Sequence, residues 1–195
     1  MCKYTFLYNI FEILLYKIDK YIYICSMKNK LSVKKYEDGM YSLSSKSKIN
    51  ATINDAWSFF IKPKNLSRLS PENVKFKIIS GKSDSFYEGK IISYKIKILP
   101  FIYINWTTEI TKIIENKLFI DKQIFGPYKL WVHEHQFIKN NDGSITISDK
   151  IKYKLYLHPF SKILHKLFIK KKLFSIFTFR KTKIKEIFNN SWTLE

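Results

Sequence analysis

The stretch DKQIFGPYKLWVHEHQFIKNNDGSITISDKIKY, residues 121–153, decides the fold. Polar and apolar side chains alternate through three segments of it, and this period of two is typical of strands. The segments are separated at Gly126-Pro127 and at residues 140–143, both of which are turn-forming sequences. Because links this short join antiparallel neighbours, the stretch predicts three consecutive strands of one sheet.

The two turns also predict which residues of these strands face one another. The first turn puts Asp121 opposite His133, and the second puts His135 opposite Asp149. A slip by one residue would pair opposite faces of the strands and is disfavoured. We therefore predict two cross-strand pairs, Asp121–His133 and Asp149–His135, side by side on one face of the sheet.

These four residues, the Asp–His cluster, allow three interpretations. They form a satisfied polar network in which each carboxylate sets the tautomer and charge of a histidine. Alternatively, they anchor the head of an amphipathic ligand whose tail fills an apolar cavity. In the third interpretation they carry chemistry, either general acid–base catalysis or a two-His, two-Asp metal site. The sequence has no Gly-rich phosphate loop and no CxxC, HExxH or GxSxG motif.

The flanking segments predict an α+β fold. A strand at 41–50 precedes a helix capped by Thr52 and a second short helix at 65–69. Three more alternating segments follow, at 73–80, 86–98 and 102–114, and the chain ends in a helical region after Pro159. That last helix carries an apolar stripe formed by Leu173, Phe177, Ile184 and Phe188.

An apolar stripe on a helix must be buried, and the inner face of the sheet is the surface that can cover it. We therefore predict a curved antiparallel sheet of about seven strands wrapped around a long C-terminal helix. Two short helices follow the first strand. Where the sheet and the helix do not touch, a cavity is expected.

Composition indicates a globular protein and restricts its partners. The chain has 195 residues, 46% of them hydrophobic, and a net charge of +19. Arg68 and Arg180 are its two arginines, whereas nucleic-acid interfaces favour the bidentate guanidinium, so no nucleic-acid partner is expected. Arg180 lies alone in a Lys-rich segment and is expected to pair with a carboxylate.

Residues 1–39 are predicted to be an N-terminal extension, either disordered or the product of a mis-called start, ahead of a ligand-binding domain at 40–190. Their apolar runs are shorter than the ~18 residues of a membrane span. An interfacial helix on a membrane surface is the alternative. Cys2 and Cys25 both fall in this stretch, so no disulfide framework is predicted and a reducing, cytoplasmic location is expected.

Four motifs resemble a protein family. They are WSFF at 57–60, PKNL at 63–66, DKQIFGPYKLWVHEHQF at 121–137 and FTFR at 177–180. Over about residues 40–189 the chain resembles a bacterial SRPBCC protein, of the START/polyketide-cyclase-like helix-grip superfamily, in its "cell division inhibitor"-like branch. The resemblance implies a helix-grip fold with a deep hydrophobic cavity. Superfamily relatives bind lipids, sterols, quinones or polyketides, and a minority are cyclases or hydrolases.

The sequence and the resemblance together predict a binder of a hydrophobic or amphipathic small molecule, a carrier or sensor rather than an enzyme. Five aromatic residues are predicted to line the cavity: Tyr94, Trp106, Trp131, Phe137 and Tyr153. Five polar residues are predicted to contact the ligand: Asp121, Gln123, His133, His135 and Asp149. No catalytic residue, metal or cofactor is predicted.

Two alternative functions stay open. One is a cyclase- or hydrolase-type enzyme that uses the two Asp–His pairs. The other is a peripheral membrane or interaction protein, in which Lys170–Lys172 and the basic residues at 180–185 make weak contact with anionic lipid.

Overall fold

An eight-stranded antiparallel sheet forms the body of the structure, which is a computed structural model describing residues 31–81, 85–99, 101–156, 163 and 165–189. The strand order is β1-β2-β8-β7-β6-β5-β4-β3. The strands are β1 (Leu31–Lys35), β2 (Met40–Ile49), β3 (Lys77–Ser80), β4 (Ile91–Leu99), β5 (Ile102–Ile114), β6 (Leu118–Phe125), β7 (Leu130–Lys139) and β8 (Ile145–Lys154).

Two short helices follow β2, and one long helix ends the described chain. These are α1 (Ile53–Phe60), α2 (Pro63–Arg68) and α3 (Lys170–Asn189), with a 3₁₀ turn at Glu72–Val74 and a π-helical turn at His165–Ile169. Thr52 caps α1 as predicted, since its side chain accepts a hydrogen bond from the Asp55 backbone N–H at 3.1 Å. The α+β architecture with a long C-terminal helix confirms the predicted fold class.

Helix α3 packs against one face of the sheet, which we call the inner face. Its predicted apolar stripe is buried at all four positions, and Arg180 and Lys181 are buried with it. Ile184 and Phe188 join an apolar cluster with α1, the α1 cluster, which includes Trp57, Phe60, Phe119, Phe137 and Ile147. Leu173 and Phe177 join a second cluster, the tryptophan cluster, which includes Tyr41, Leu43, Tyr128, Trp131 and Tyr153.

The third apolar group of the inner face, the β4–β5 cluster, lies towards the other edge of the sheet. It contains Val74, Ile92, Tyr94, Ile96 and Ile110. Trp106 and Ile176 pack against both this cluster and the tryptophan cluster. Trp106 and Ile176 therefore connect the tryptophan cluster with the β4–β5 cluster.

The sheet has eight strands where about seven were predicted. The added strand is β1, which pairs with residues 41–45 of β2 and begins before the Met40 boundary drawn from the sequence. Leu31 is its one buried residue, so the segment has little of the alternation that marks a strand. The prediction for residues 1–30 lies outside the described residues.

Two predicted strands are shorter than expected. The segment 73–80 begins inside the 3₁₀ turn and continues through Lys75, which has a φ of 43°, so pairing starts at Lys77. The segment 86–98 enters the regular ladder with β5 at Ile91, after a turn at Gly89 with a φ of 81°. Left-handed residues interrupt an extended backbone, and alternation of side chains does not reveal them.

Candidate functional site

The Asp–His cluster lies on the inner face, on three neighbouring strands. Asp121 is opposite His133 in the β6–β7 ladder, and His135 is opposite Asp149 in the β7–β8 ladder, as the turns predicted. His133, His135 and Asp149 are buried, and Asp121 is partly buried. Because side chains alternate along a strand, this register brings all four residues to one face.

Each histidine of the cluster lies between both carboxylates. The His133 Nε2–H group donates to Asp149 Oδ1 at 3.1 Å, and the His135 Nε2–H group donates to Asp121 Oδ2 at 3.3 Å. The two pairs predicted from the register are also in contact, with 2.9 Å from His135 Nδ1 to Asp149 Oδ1 and 3.6 Å from His133 Nδ1 to Asp121 Oδ2. The cluster is therefore one ring of four residues rather than two separate pairs.

The two imidazole rings have different proton affinities. Their centroids are 3.7 Å apart, so two positive charges on them would repel. Burial, and then the charge of His135, lowers the pKa of His133 to about 4. Burial also opposes charge on His135, but the carboxylates of Asp121 and Asp149 outweigh it and raise its pKa. A proton taken up by the cluster is therefore favoured on His135 over His133.

Arg180 adds a positive charge to the cluster from α3. Its side chain is buried, its charge interacts with Asp149 and Asp121, and its guanidinium carbon lies 4.9 Å from the centroid of the Phe177 ring. Between described residues it forms no ion pair within 4.0 Å, so the expected pairing with a carboxylate is not found, and the two aspartates act on Arg180 only by longer-range attraction. A proton on His135, together with the charge of Arg180, would balance the charges of the two aspartates.

Sequence reasoning did not place Arg180 at the cluster. The signal that could have done so is its spacing from Phe177 and Ile184, which puts all three on one face of a helix. An arginine within a buried apolar stripe is rarely there without an acidic neighbour. The available acidic residues on the inner face are those of the cluster.

Aromatic side chains extend from the cluster towards the edge of the sheet that bears β3. The Trp131 ring lies 6.3 Å from the His133 ring and 5.0 Å from the Trp106 ring, edge to face in both cases. Tyr94, on β4, hydrogen-bonds the Thr108 side chain, and burial and then the nearby Asp121 charge raise its pKa. Of the predicted lining residues, Trp131 therefore lies beside His133, Tyr94 lies near Asp121, and Trp106 lies next to Trp131.

Three other predicted site residues have partners away from the cluster. The Gln123 Nε2–H group donates to the Tyr128 carbonyl oxygen at 2.6 Å and so closes the turn between β6 and β7. Tyr153 hydrogen-bonds His165, with 2.8 Å between the hydroxyl oxygen and Nε2. Phe137 packs edge to face on Trp57 and Phe60 of α1, at 5.3 and 5.5 Å. Their contacts indicate structural roles.

Comparison with known proteins finds similarity in structure. No protein-family model matches the sequence, and no curated protein matches it. Protein Ms6760 from Mycobacterium smegmatis is 12% identical, with a TM-score of 0.54 over 80% of this chain and 96% of that one. Ginseng major latex-like protein 151 from Panax ginseng is 14% identical, with a TM-score of 0.51 over 75% and 97% of the two chains.

An enzyme is also among the similar structures. A point mutant of norcoclaurine synthase from Thalictrum flavum, in complex with a transition-state analogue, is 14% identical, with a TM-score of 0.53 over 78% of this chain and 96% of that one. At such identities the likeness extends to the fold and not to the site. Together with the long helix packed on a curved antiparallel sheet, these similarities show that the chain has the helix-grip fold.

Proposed function

We propose that this protein binds a small hydrophobic or amphipathic molecule between the sheet and α3, as a carrier or sensor. The apolar part of the ligand would contact Trp106, Trp131 and Tyr94, and its polar group would lie at the Asp–His cluster. Binding sites for small molecules commonly combine a mostly apolar lining with a few convergent polar groups. The arrangement around the cluster has both components.

The observation that carries this proposal is a pair of buried donors without acceptors. Trp106 Nε1 and Arg180 Nε are each shielded from solvent and have no hydrogen-bond partner within the described part of the chain. Leaving a buried donor unsatisfied costs about 1–3 kcal/mol, so native proteins rarely do it without a reason. An oxygen atom of a bound molecule would satisfy these donors.

The test is a binding titration of the full chain after removal of co-purified lipid. Quinones and a series of amphiphiles with the same tail but different head groups are added, and intrinsic tryptophan fluorescence reports binding. The Trp106→Phe variant keeps an aromatic ring but loses the donor. We expect it to weaken binding of ligands with acceptor oxygens by about tenfold, as one lost hydrogen bond would.

Trp57→Phe is the matched control, because Trp57 lies in the α1 cluster and not beside Trp106. It should leave affinity unchanged. Failure of the wild-type protein to bind any member of the panel would remove support for the proposal. Equal losses in the two tryptophan variants would show that the lost donor is not involved.

The first alternative, an acid–base enzyme, is supported by the protonation state of His133. A neutral His133 that is hydrogen-bonded to Asp149 has the arrangement of a general base held by a carboxylate. This alternative requires that His133→Ala abolish a turnover without unfolding the protein. A turnover that survived this substitution would contradict it.

A membrane contact is the second alternative, and a surface feature favours it. Ile163, Leu167 and Phe168 are exposed at the start of the C-terminal helical region, close in sequence to Lys166 and Lys170. Apolar and basic side chains together suit the surface of an anionic bilayer. None of the helices in the described ranges is long and apolar enough to cross a membrane. Sedimentation with anionic liposomes at low salt tests this contact, and a protein left in the supernatant would argue against it.

A further inference from the structure

We propose that Asp121, His133 and His135 bind one divalent transition-metal ion, with Zn²⁺ the first candidate. One ligand atom from each of the three residues lies within 4.8 Å of the others. Asp121 Oδ2 is 3.3 Å from His135 Nε2 and 3.6 Å from His133 Nδ1. Atoms bound to a tetrahedral zinc ion at about 2.0–2.2 Å lie ~3.3–3.6 Å from one another. Both separations from Asp121 therefore fall in the range of zinc ligands, and the two histidine nitrogens lie within 4.8 Å of each other.

Asp149 occupies the position of a supporting carboxylate behind the two histidines. Its Oδ1 lies 3.1 Å from His133 Nε2 and 2.9 Å from His135 Nδ1, the ring nitrogens that face away from Asp121. Metal-binding histidines nearly always direct their second nitrogen to a carboxylate or carbonyl oxygen, which fixes the orientation of the ring. Asp149 performs this role for His133 through a hydrogen bond, and its Oδ1 also lies 2.9 Å from the second nitrogen of His135.

The burial of the two carboxylates indicates from which side an ion would enter. The Asp149 side chain is 2% exposed, whereas the Asp121 side chain is 17% exposed. An ion can therefore approach from the Asp121 side without displacing Asp149. The remaining coordination positions would accept water or an oxygen of a ligand. Tyr94 lies near enough to Asp121 for the carboxylate charge to act on its hydroxyl.

The ligand set and its charge restrict both the metal and the remaining ligand. Two imidazoles and one carboxylate suit zinc and other first-row transition metals better than Ca²⁺ or Mg²⁺, which prefer oxygen. An ion bound to His135 would displace the proton that this ring favours, so both histidines would be neutral ligands. The positive charges of the ion and Arg180 would then exceed the negative charges of the two aspartates by one. Arg180 thus opposes a cation in part, and an anionic ligand such as hydroxide or a carboxylate would restore neutrality.

This site differs from both expectations drawn from the sequence. No metal was predicted, and the metal interpretation that stayed open used two histidines and two aspartates as ligands. The structure separates the aspartates, with Asp121 on the open side of the ring pair and Asp149 behind it. The site would exist whether or not a hydrophobic ligand binds.

The experiment is a metal titration of the full chain after dialysis against a chelator. Zn²⁺ binding is followed by calorimetry, and Co²⁺ binding by its visible absorption. The variants are Asp121→Asn, which alters a ligand, and Asp149→Asn, which alters the support. Glu134→Gln is the control, because Glu134 lies between the two histidines on β7 and its side chain points to the opposite face.

We expect one Zn²⁺ per chain in the wild-type and Glu134→Gln proteins. Asp121→Asn should weaken binding at least about 100-fold, and Asp149→Asn by about 10- to 100-fold, as loss of a supporting carboxylate does. Circular dichroism confirms that each variant is folded. The proposal is overturned if the wild-type protein takes up no ion or if the Asp121→Asn protein binds as tightly as wild type.

A spectroscopic measurement keeps the test decisive should Asp121→Asn fail to fold. X-ray absorption of the zinc-loaded wild-type protein should show two imidazole ligands and no sulfur. Sulfur around the ion would instead assign binding to Cys2 or Cys25 and would refute the proposed site. Neither result depends on the hydrophobic ligand, so a failure of the metal site is distinguishable from a failure of the proposed function.

Discussion

At the scale of single residues, His165 shows how strongly burial changes the pKa of a side chain in this protein. Its ring stacks on Tyr41 with 3.7 Å between centroids, and its Nε2 hydrogen-bonds Tyr153. Burial, and then the charges of Lys170 and Lys35, lowers its pKa to about 4. In the unfolded chain its pKa is the ordinary 6.5, so the unfolded state takes up this proton first as the pH falls.

His165 should therefore make folding stability dependent on pH. Its contribution is fully present above about pH 6.5 and is lost as the pH falls from about 6.5 to about 4. The His165→Gln variant should lose part of this slope, because glutamine does not titrate. Urea unfolding at several pH values in that window measures both proteins. Parallel stability curves for the variant and the wild type would show that His165 does not contribute.

The Asp–His register was predictable at this scale, and the side-chain contacts were not. Turn lengths set which backbone positions face each other, so Asp121 was correctly placed opposite His133. The diagonal contacts, such as His133 with Asp149, depend on side-chain rotamers. The position of Arg180 depends on how α3 is rotated against the sheet, and no strand pattern contains that information.

At the scale of elements, two glycines at the ends of strands have nearly the same φ but different surroundings. Gly81 follows β3 with a φ of 78°, and Gly143 lies between β7 and β8 with a φ of 80°. A Cβ atom on Gly81 would lie 2.6 Å from the Ile91 carbonyl oxygen, whereas one on Gly143 would meet nothing within 4 Å. Alanine substitution at Gly143 therefore measures the cost of a left-handed backbone alone, and alanine substitution at Gly81 adds the cost of a steric clash.

We expect Gly143→Ala to lower the free energy of unfolding by about 1–2 kcal/mol, the cost of a left-handed alanine. Gly81→Ala should cost at least about 2 kcal/mol more, because the backbone of β4 must move to admit the methyl group. Urea denaturation of the two variants gives the comparison. Equal losses would mean that the contact with Ile91 is not restrictive.

The contribution of α3 packing to the free energy of unfolding can be tested at Ile184. This residue is fully buried in the α1 cluster, so Ile184→Ala should cost about 2–5 kcal/mol through lost burial and the cavity left behind. Lys183→Ala is the neighbouring control and should change stability by no more than about 0.5 kcal/mol, since Lys183 forms a surface ion pair with Glu186. Equal free energies of unfolding for the two variants would show that packing of α3 in the α1 cluster contributes little to stability.

The apolar stripe of α3 was predictable because its period matches a helix, and the strands β5 to β8 were predictable because their alternation is long. Strand β1 was missed because five residues with one buried side chain carry no clear period. The start of β4 was misplaced because Gly89 ends the extended backbone there. Short or interrupted elements depend on their neighbours more than on their own pattern.

At the scale of the whole molecule, the order of strands and helices is sufficient to predict the helix-grip fold. The fold does not determine which ligand is bound. The buried Asp–His cluster lies on the inner face of the sheet, with the aromatic side chains of the tryptophan cluster and the buried Arg180 on the same face. Our central proposal is that this interior holds a small molecule whose oxygen atoms meet the buried donors.

Native mass spectrometry of the protein, purified gently from its own cells and then extracted under denaturing conditions, tests this proposal most directly. We expect the native mass to exceed the chain mass by one hydrophobic or amphipathic molecule, which denaturation releases for identification. A bound metal with no organic molecule would support the metal site but contradict the ligand. The bare mass of the chain under both conditions would leave the Asp–His cluster as a structural network and would contradict the proposed function.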